Sequence, residues 1–71
     1  MKHAILYEPT STGYSAHVPD LPGCVAAART LDETRKLMKE AISGHLECMR
    51  QFGYEIPVPT TVAEGIEVPL T

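Results

Sequence analysis

The sequence predicts an α+β fold of order β-β-β-α-β: an antiparallel meander, one long helix on its face, and a short final strand. Three observations lead there. Two alternating segments flank a turn-rich loop at residues 8–13. The run Pro19-Asp20-Leu21-Pro22-Gly23 then interrupts the chain before a third extended stretch. A capped segment with helical apolar spacing follows.

The first hairpin pairs residues 2–7 with 14–18. Glu8-Pro9-Thr10-Ser11-Thr12-Gly13 supplies turn formers between them. Pairing Tyr7 with Tyr14 sets Ile5 opposite Ala16 and His3 opposite Val18. That register places Ile5, Tyr7, Tyr14, Ala16 and Val18 on one face, which is a core face. The other face carries Ala4, Leu6, Ser15 and His17. It is only half apolar, so it suits solvent or a partner.

Pro19 to Gly23 cannot be regular structure. Pro22 lacks a donor and holds Leu21 extended, and Gly23 after it fits a tight turn with positive φ. Asp20 between two prolines is expected to accept local backbone N–H bonds, with a partner contact as the other reading. Cys24 to Arg29 then form a third strand over 24–29. Three alanines in it are weak strand formers. Their small side chains would let a helix approach closely.

The helix is expected over 31–52, roughly 33 Å long. Thr30 and Glu33 form a capping box, and Asp32 and Glu33 place negative charge at the positive end of the dipole. Leu31, Leu37, Met38, Ala41, Ile42, His45, Leu46 and Met49 make one apolar stripe. Asp32 and Lys36 are spaced as an i,i+4 pair. Gly44 weakens the helix and is expected to admit another backbone. Gly53 fits the position that ends it. The tail from Tyr54 to Thr61 is too proline-rich for helix or central strand, and Thr60-Thr61 reads as polar tail. Residues 66–68 can form one edge strand, ended by Pro69.

A chain of 71 residues holds one domain, here 1–71. So small a domain buries only about 60% of its unfolded surface, so an oligomer partner is the expected staple. No signal peptide and no membrane-length apolar run are visible, which favours a reducing cytoplasmic setting and no membrane. Two cysteines, Cys24 and Cys48, neither build a disulfide scaffold nor match zinc spacing, and both are expected to be buried and inert. The net charge of -3 is spread along the chain, which disfavours non-specific nucleic-acid binding and suits a basic protein partner.

The catalytic possibilities are thin. His3 and His17 fall on opposite hairpin faces, and His45 lies in the apolar stripe. The nine acidic residues form no cluster of the kind that metal-dependent nucleases need. Nothing near Cys24 lowers its thiol pKa. Tyr7 and Tyr14 read as a cross-strand pair rather than a base-stacking platform. The sequence therefore predicts no enzyme, no metal and no cofactor.

The order of motifs resembles the HicB-like antitoxin family. The resemblance rests on Gly13-Tyr14-Ser15-Ala16 leading into Val18-Pro19-Asp20-Leu21-Pro22-Gly23-Cys24. Thr30-Leu31-Asp32-Glu33 then opens a helix holding Glu40-Ala41-Ile42 and His45-Leu46, and Gly53 and Ile56-Pro57-Val58-Pro59 follow. It covers about residues 4 to 59. It implies a partial ribonuclease H-like fold without the nuclease acids, and dimers or tetramers. It also implies a partner: a small basic HicA-type mRNA-cleaving toxin, whose catalytic histidine the antitoxin covers. Ser15, His17, Asp20 and the polar helix face are the contacts expected for it.

Many family members add a helix-turn-helix or ribbon-helix-helix domain. This sequence ends at Thr71, so no DNA binding by this chain alone is expected. Ala28 stands where the family often has Gly, and Thr34 where Ala is common. The alternative is an orphan oligomeric module that binds another protein or a small ligand, and a residual nuclease is a weaker third.

Overall fold

Four elements form in the computed structural model, which describes residues 1–70. They are β1 (Leu6–Pro9), β2 (Tyr14–His17), β3 (Val25–Ala28) and α1 (Leu31–Gln51). The strands form one antiparallel sheet in the order β1-β2-β3. The meander and its single helix are the expected α+β architecture.

The hairpin register differs from the expected one. Tyr7 pairs with Ala16, and Pro9 with Tyr14. The loop is therefore Thr10–Gly13. It is closed by Thr10 N–H donating to Gly13 O at 2.8 Å and Gly13 N–H donating to Thr10 Oγ1 at 3.0 Å. Pro9 is tolerated because β1 is an edge strand with one side free of ladder bonds. The shift is by an even number of residues, so the faces stay as assigned. Gly13 is needed for space: a Cβ there would sit 2.1 Å from Ala28 O and 2.6 Å from Arg29 Cα.

All three strands are shorter than expected. The turn takes Val18 and Cys24 out of the ladder: Val18 N–H donates to Cys24 O and Cys24 N–H to Leu21 O, both at 3.1 Å. Leu21 N–H also donates to Val18 O at 3.1 Å. Two successive β-turns result, with Pro19 and Pro22 at their second positions. Gly23 at φ 84° supplies the left-handed residue of a type II turn. The turn drives Leu21 into the core, where it is 1% exposed.

Thr30 caps α1 through its Oγ1, which accepts Glu33 N–H at 3.1 Å. Among the described residues the Glu33 carboxylate makes no return bond, so half of the expected box forms. Thr34 is fully buried, and its hydroxyl donates to Thr30 O at 2.7 Å. At the other end Gly53 (φ 72°) donates to Arg50 O and Tyr54 N–H to Met49 O, a Schellman motif.

The buried stripe runs through Thr34 and Met38, flanked by Ala41, Ile42 and Leu46. Leu37 falls outside it and is exposed, because the centre of the stripe is at Met38. Asp32 pairs with Arg35 at 3.0 Å rather than with Lys36. Both side chains are largely in water, so the pair adds little. Among the described residues nothing outside the helix's own backbone lies within 4 Å of a Cβ built on Gly44, so the expected close backbone approach is not made there.

Helix α1 packs on β3 and β2. Between them lie Ala16, Val18, Leu21, Cys24 and Met38, with Ile5, Tyr7 and Ala26 against them. Full burial of Leu21 and Met38 is worth about 1.5–3 kcal/mol each. Burial pushes the Cys24 thiol up, as an inert core cysteine requires, whereas Cys48 is exposed, contrary to expectation. Both ring nitrogens of His3 are screened from solvent and lack a hydrogen-bond partner among the described residues.

The final strand is absent. Residues 54–70 hold no regular element, and Ile66 and Val68 are 76% and 70% exposed. A run this short needs a neighbouring edge for its backbone bonds, and the chain brings none beside it.

Candidate functional site

Alternation along the strands decides which side chains the helix leaves bare. Tyr7, Ala16 and Ala26 face α1. Leu6, Glu8, Ser15, His17, Val25 and Ala27 therefore project from the outer face, with His17 opposite both Leu6 and Val25 and Ser15 opposite Glu8 and Ala27. Val25 is 63% exposed, a large apolar side chain on the β3 edge of this face beside His17.

A shallow groove of about 470 Å³ lies along it. Ser15, His17 and Val25 are on the strand side, and Pro19, Leu21, Pro22, Gly23 and Cys24 are on the turn side. The double turn builds that wall: its prolines hold the chain extended while Leu21 and Cys24 anchor it from below. Ser15 and His17 share no hydrogen bond, and Cys24 has no base beside it. Among the described residues no three His, Cys, Asp or Glu side chains converge as a metal site needs. The arrangement offers an amphipathic contact face with polar groups at fixed positions.

Asp20 is turned elsewhere, which corrects the local role expected from its flanking prolines. Its Oδ2 accepts Thr61 N–H at 2.9 Å and Thr60 N–H at 3.1 Å. Its Oδ1 accepts the hydroxyls of Thr61 at 2.9 Å and Thr60 at 3.1 Å. The Thr61 N–H bond, ahead of the hydroxyl and Thr60 bonds, holds the carboxyl below its ordinary value against a smaller desolvation effect. Thr60-Thr61 is thus the far half of a clamp that ties the tail to the turn.

Of the site residues read from the sequence, Ser15 and His17 share the groove with Pro19, Leu21, Pro22, Gly23 and Cys24, and Asp20 stands apart from it. Val25, Thr60 and Thr61 were missed. Strand alternation from Ala26 signals Val25, but no local pattern signals the two threonines.

Residues 3–69 match the HicB-like antitoxins of bacterial toxin-antitoxin systems. The chain belongs to that family. It is 39% identical over 69 residues to an uncharacterised 14.9 kDa protein of Haemophilus phage HP1, covering 97% of this chain and 52% of the phage protein. It therefore spans about half the length of that relative. A UPF0150 protein of Archaeoglobus fulgidus is 48% identical over 48 residues, covering 66% of this chain and 70% of its own. A chain in a solved HicA3 and HicB3 toxin-antitoxin complex superposes with a TM-score of 0.71 at 28% identity, over 84% of this HicB-like chain and 70% of its own length.

Proposed function

We propose that this HicB-like domain neutralises a small, basic, mRNA-cleaving toxin of the HicA type by docking on it and covering its catalytic histidine. The docking surface is the outer sheet face with its groove. The observation that carries this reading is the exposure of Val25 beside Ser15 and His17, on a sheet face that the helix leaves bare. An exposed apolar side chain among polar neighbours suits a protein contact. Glu8 on the same face and the chain's net charge of -3 complement a surface evolved to hold RNA. The domain acts by occlusion and performs no chemistry. Two free thiols suit a reducing cytoplasm.

The test is co-expression with the product of a small reading frame beside this gene, followed by pull-down and an RNA cleavage assay. The expected result is a stable complex with cleavage suppressed. A basic RNA-cleaving partner that neither binds nor loses activity would sink the reading.

A further inference from the structure

We infer that the tail from Tyr54 to Thr61 is a strap that holds the turn-side wall of the groove in shape for its occupant. The occupant is the basic protein of the function proposed above, so its identity rests on that reading.

The wall is thinly held from within. Among the described residues three backbone bonds span Val18 to Cys24, and all three are made by Val18, Leu21 and Cys24. Leu21 and Cys24 are sunk in the core, at 1% and 3% exposure. Pro19, Pro22 and Gly23 line the groove without such an anchor, half-buried or exposed. Neither proline has a backbone N–H to donate.

The strap grips this unanchored part. Asp20 follows Pro19 in the wall, and outside the groove its carboxylate accepts four bonds from Thr60 and Thr61. Pro19 has a fixed φ, and Pro22 confines Leu21 to extended conformations, so Pro19-Asp20-Leu21 shifts as one stiff piece. Whatever fixes Asp20 therefore fixes Pro19 beside it.

The tail is suited to being held at this point. Ile56, Pro57, Pro59 and Thr61 are half-buried, whereas residues 62–70 are all exposed. The clamp is where the tail leaves the body. Pro57 and Pro59 keep the segment extended before it docks, which lowers the entropy lost on docking. A docked tail and an ordered wall then favour one another, so an occupant that needs the ordered wall also tightens the clamp.

The free chain is tested first. Asp20→Ala removes all four bonds. It should keep the circular dichroism of the unmodified chain, yet the Leu21 and Cys24 amides should lose protection. Cys24, which lines the groove, should react with a maleimide about fivefold faster or more. Thr60→Val with Thr61→Val removes the two hydroxyl bonds and should act in the same direction to a lesser degree. Thr61→Ser keeps both donors and should match the unmodified chain. Calorimetric titration follows, with a basic toxin of the proposed kind that the unmodified chain binds. Asp20→Ala should bind it about fivefold more weakly or worse, and adding the threonine substitutions should weaken it little further, because one clamp is already broken. Unchanged turn protection and thiol labelling in Asp20→Ala overturn the strap. So does a loss of affinity in Asp20→Ala that the threonine variant does not share, which would make Asp20 a direct contact. A turn that loosens as expected in a chain that binds no such toxin supports the strap and sinks the toxin reading.

Discussion

Asp20 and Thr61 meet across 41 residues of chain, the carboxylate accepting both the N–H and the hydroxyl of the threonine at 2.9 Å. With the matching bonds from Thr60, this is how the tail is held to the turn between β2 and β3. Because the carboxyl lies below its ordinary value of 3.8, the ionised form is the docked form. Docking is therefore complete above the unfolded-state value and is lost as pH falls through the lower folded-state value. Amides of residues 60 and 61 should be protected relative to their intrinsic exchange rates at neutral pH, and lose that protection in Asp20→Ala and in acid, while amides of β2 stay protected. Unchanged exchange at Thr61 in Asp20→Ala would refute the clamp.

Two glycines are required for different reasons, and substitution separates them. Gly13→Ala drives a methyl into the Ala28 backbone and should cost about 1–3 kcal/mol, with Gly13→Asn no better. Gly23→Ala meets nothing but must hold φ at 84° and should cost about 1 kcal/mol, partly recovered by Gly23→Asn. Urea unfolding of the four variants measures this. Equal recovery by asparagine at both sites would show the distinction to be mistaken.

His3 buries two ring nitrogens with no partner among the described residues. Replacing an unsatisfied polar group by an apolar one of similar size removes a desolvation cost of about 1–3 kcal/mol. His3→Leu should therefore raise the unfolding midpoint in urea. A lower midpoint would mean that the imidazole makes a favourable contact after all.

The two thiols should differ in reactivity. At dilute concentration Cys48 is exposed and should react with a maleimide quickly, whereas Cys24, buried and with its thiol pKa raised, should wait for unfolding. Mass spectrometry of briefly labelled protein should find one adduct, on Cys48. Rapid labelling of Cys24 in the folded chain would contradict its place in the core.

The sequence revealed what period and capping encode. Alternation set the hairpin faces correctly even though the register was wrong by two residues, because an even slip leaves each side chain on its own face. Thr30 and Gly53 marked the helix ends because caps are local chemistry. Asp20 was misread because its partners lie 40 and 41 residues away, and nothing near Asp20 encodes them. Ile66 to Val68 has the pattern of a strand, but pattern cannot supply the neighbouring edge that a strand needs. Val25 was passed over because a core thiol and three alanines dominate its surroundings, although alternation places it outward.

The outer sheet face is the centre of this account, and Val25→Arg tests it most directly. Val25 is 63% exposed, so the substitution should leave the unfolding midpoint unchanged. Calorimetric titration with a basic toxin of the proposed kind that the unmodified chain binds should then give an affinity at least about tenfold weaker than for the unmodified chain. The same affinity for both would place the toxin on another surface and contradict the account.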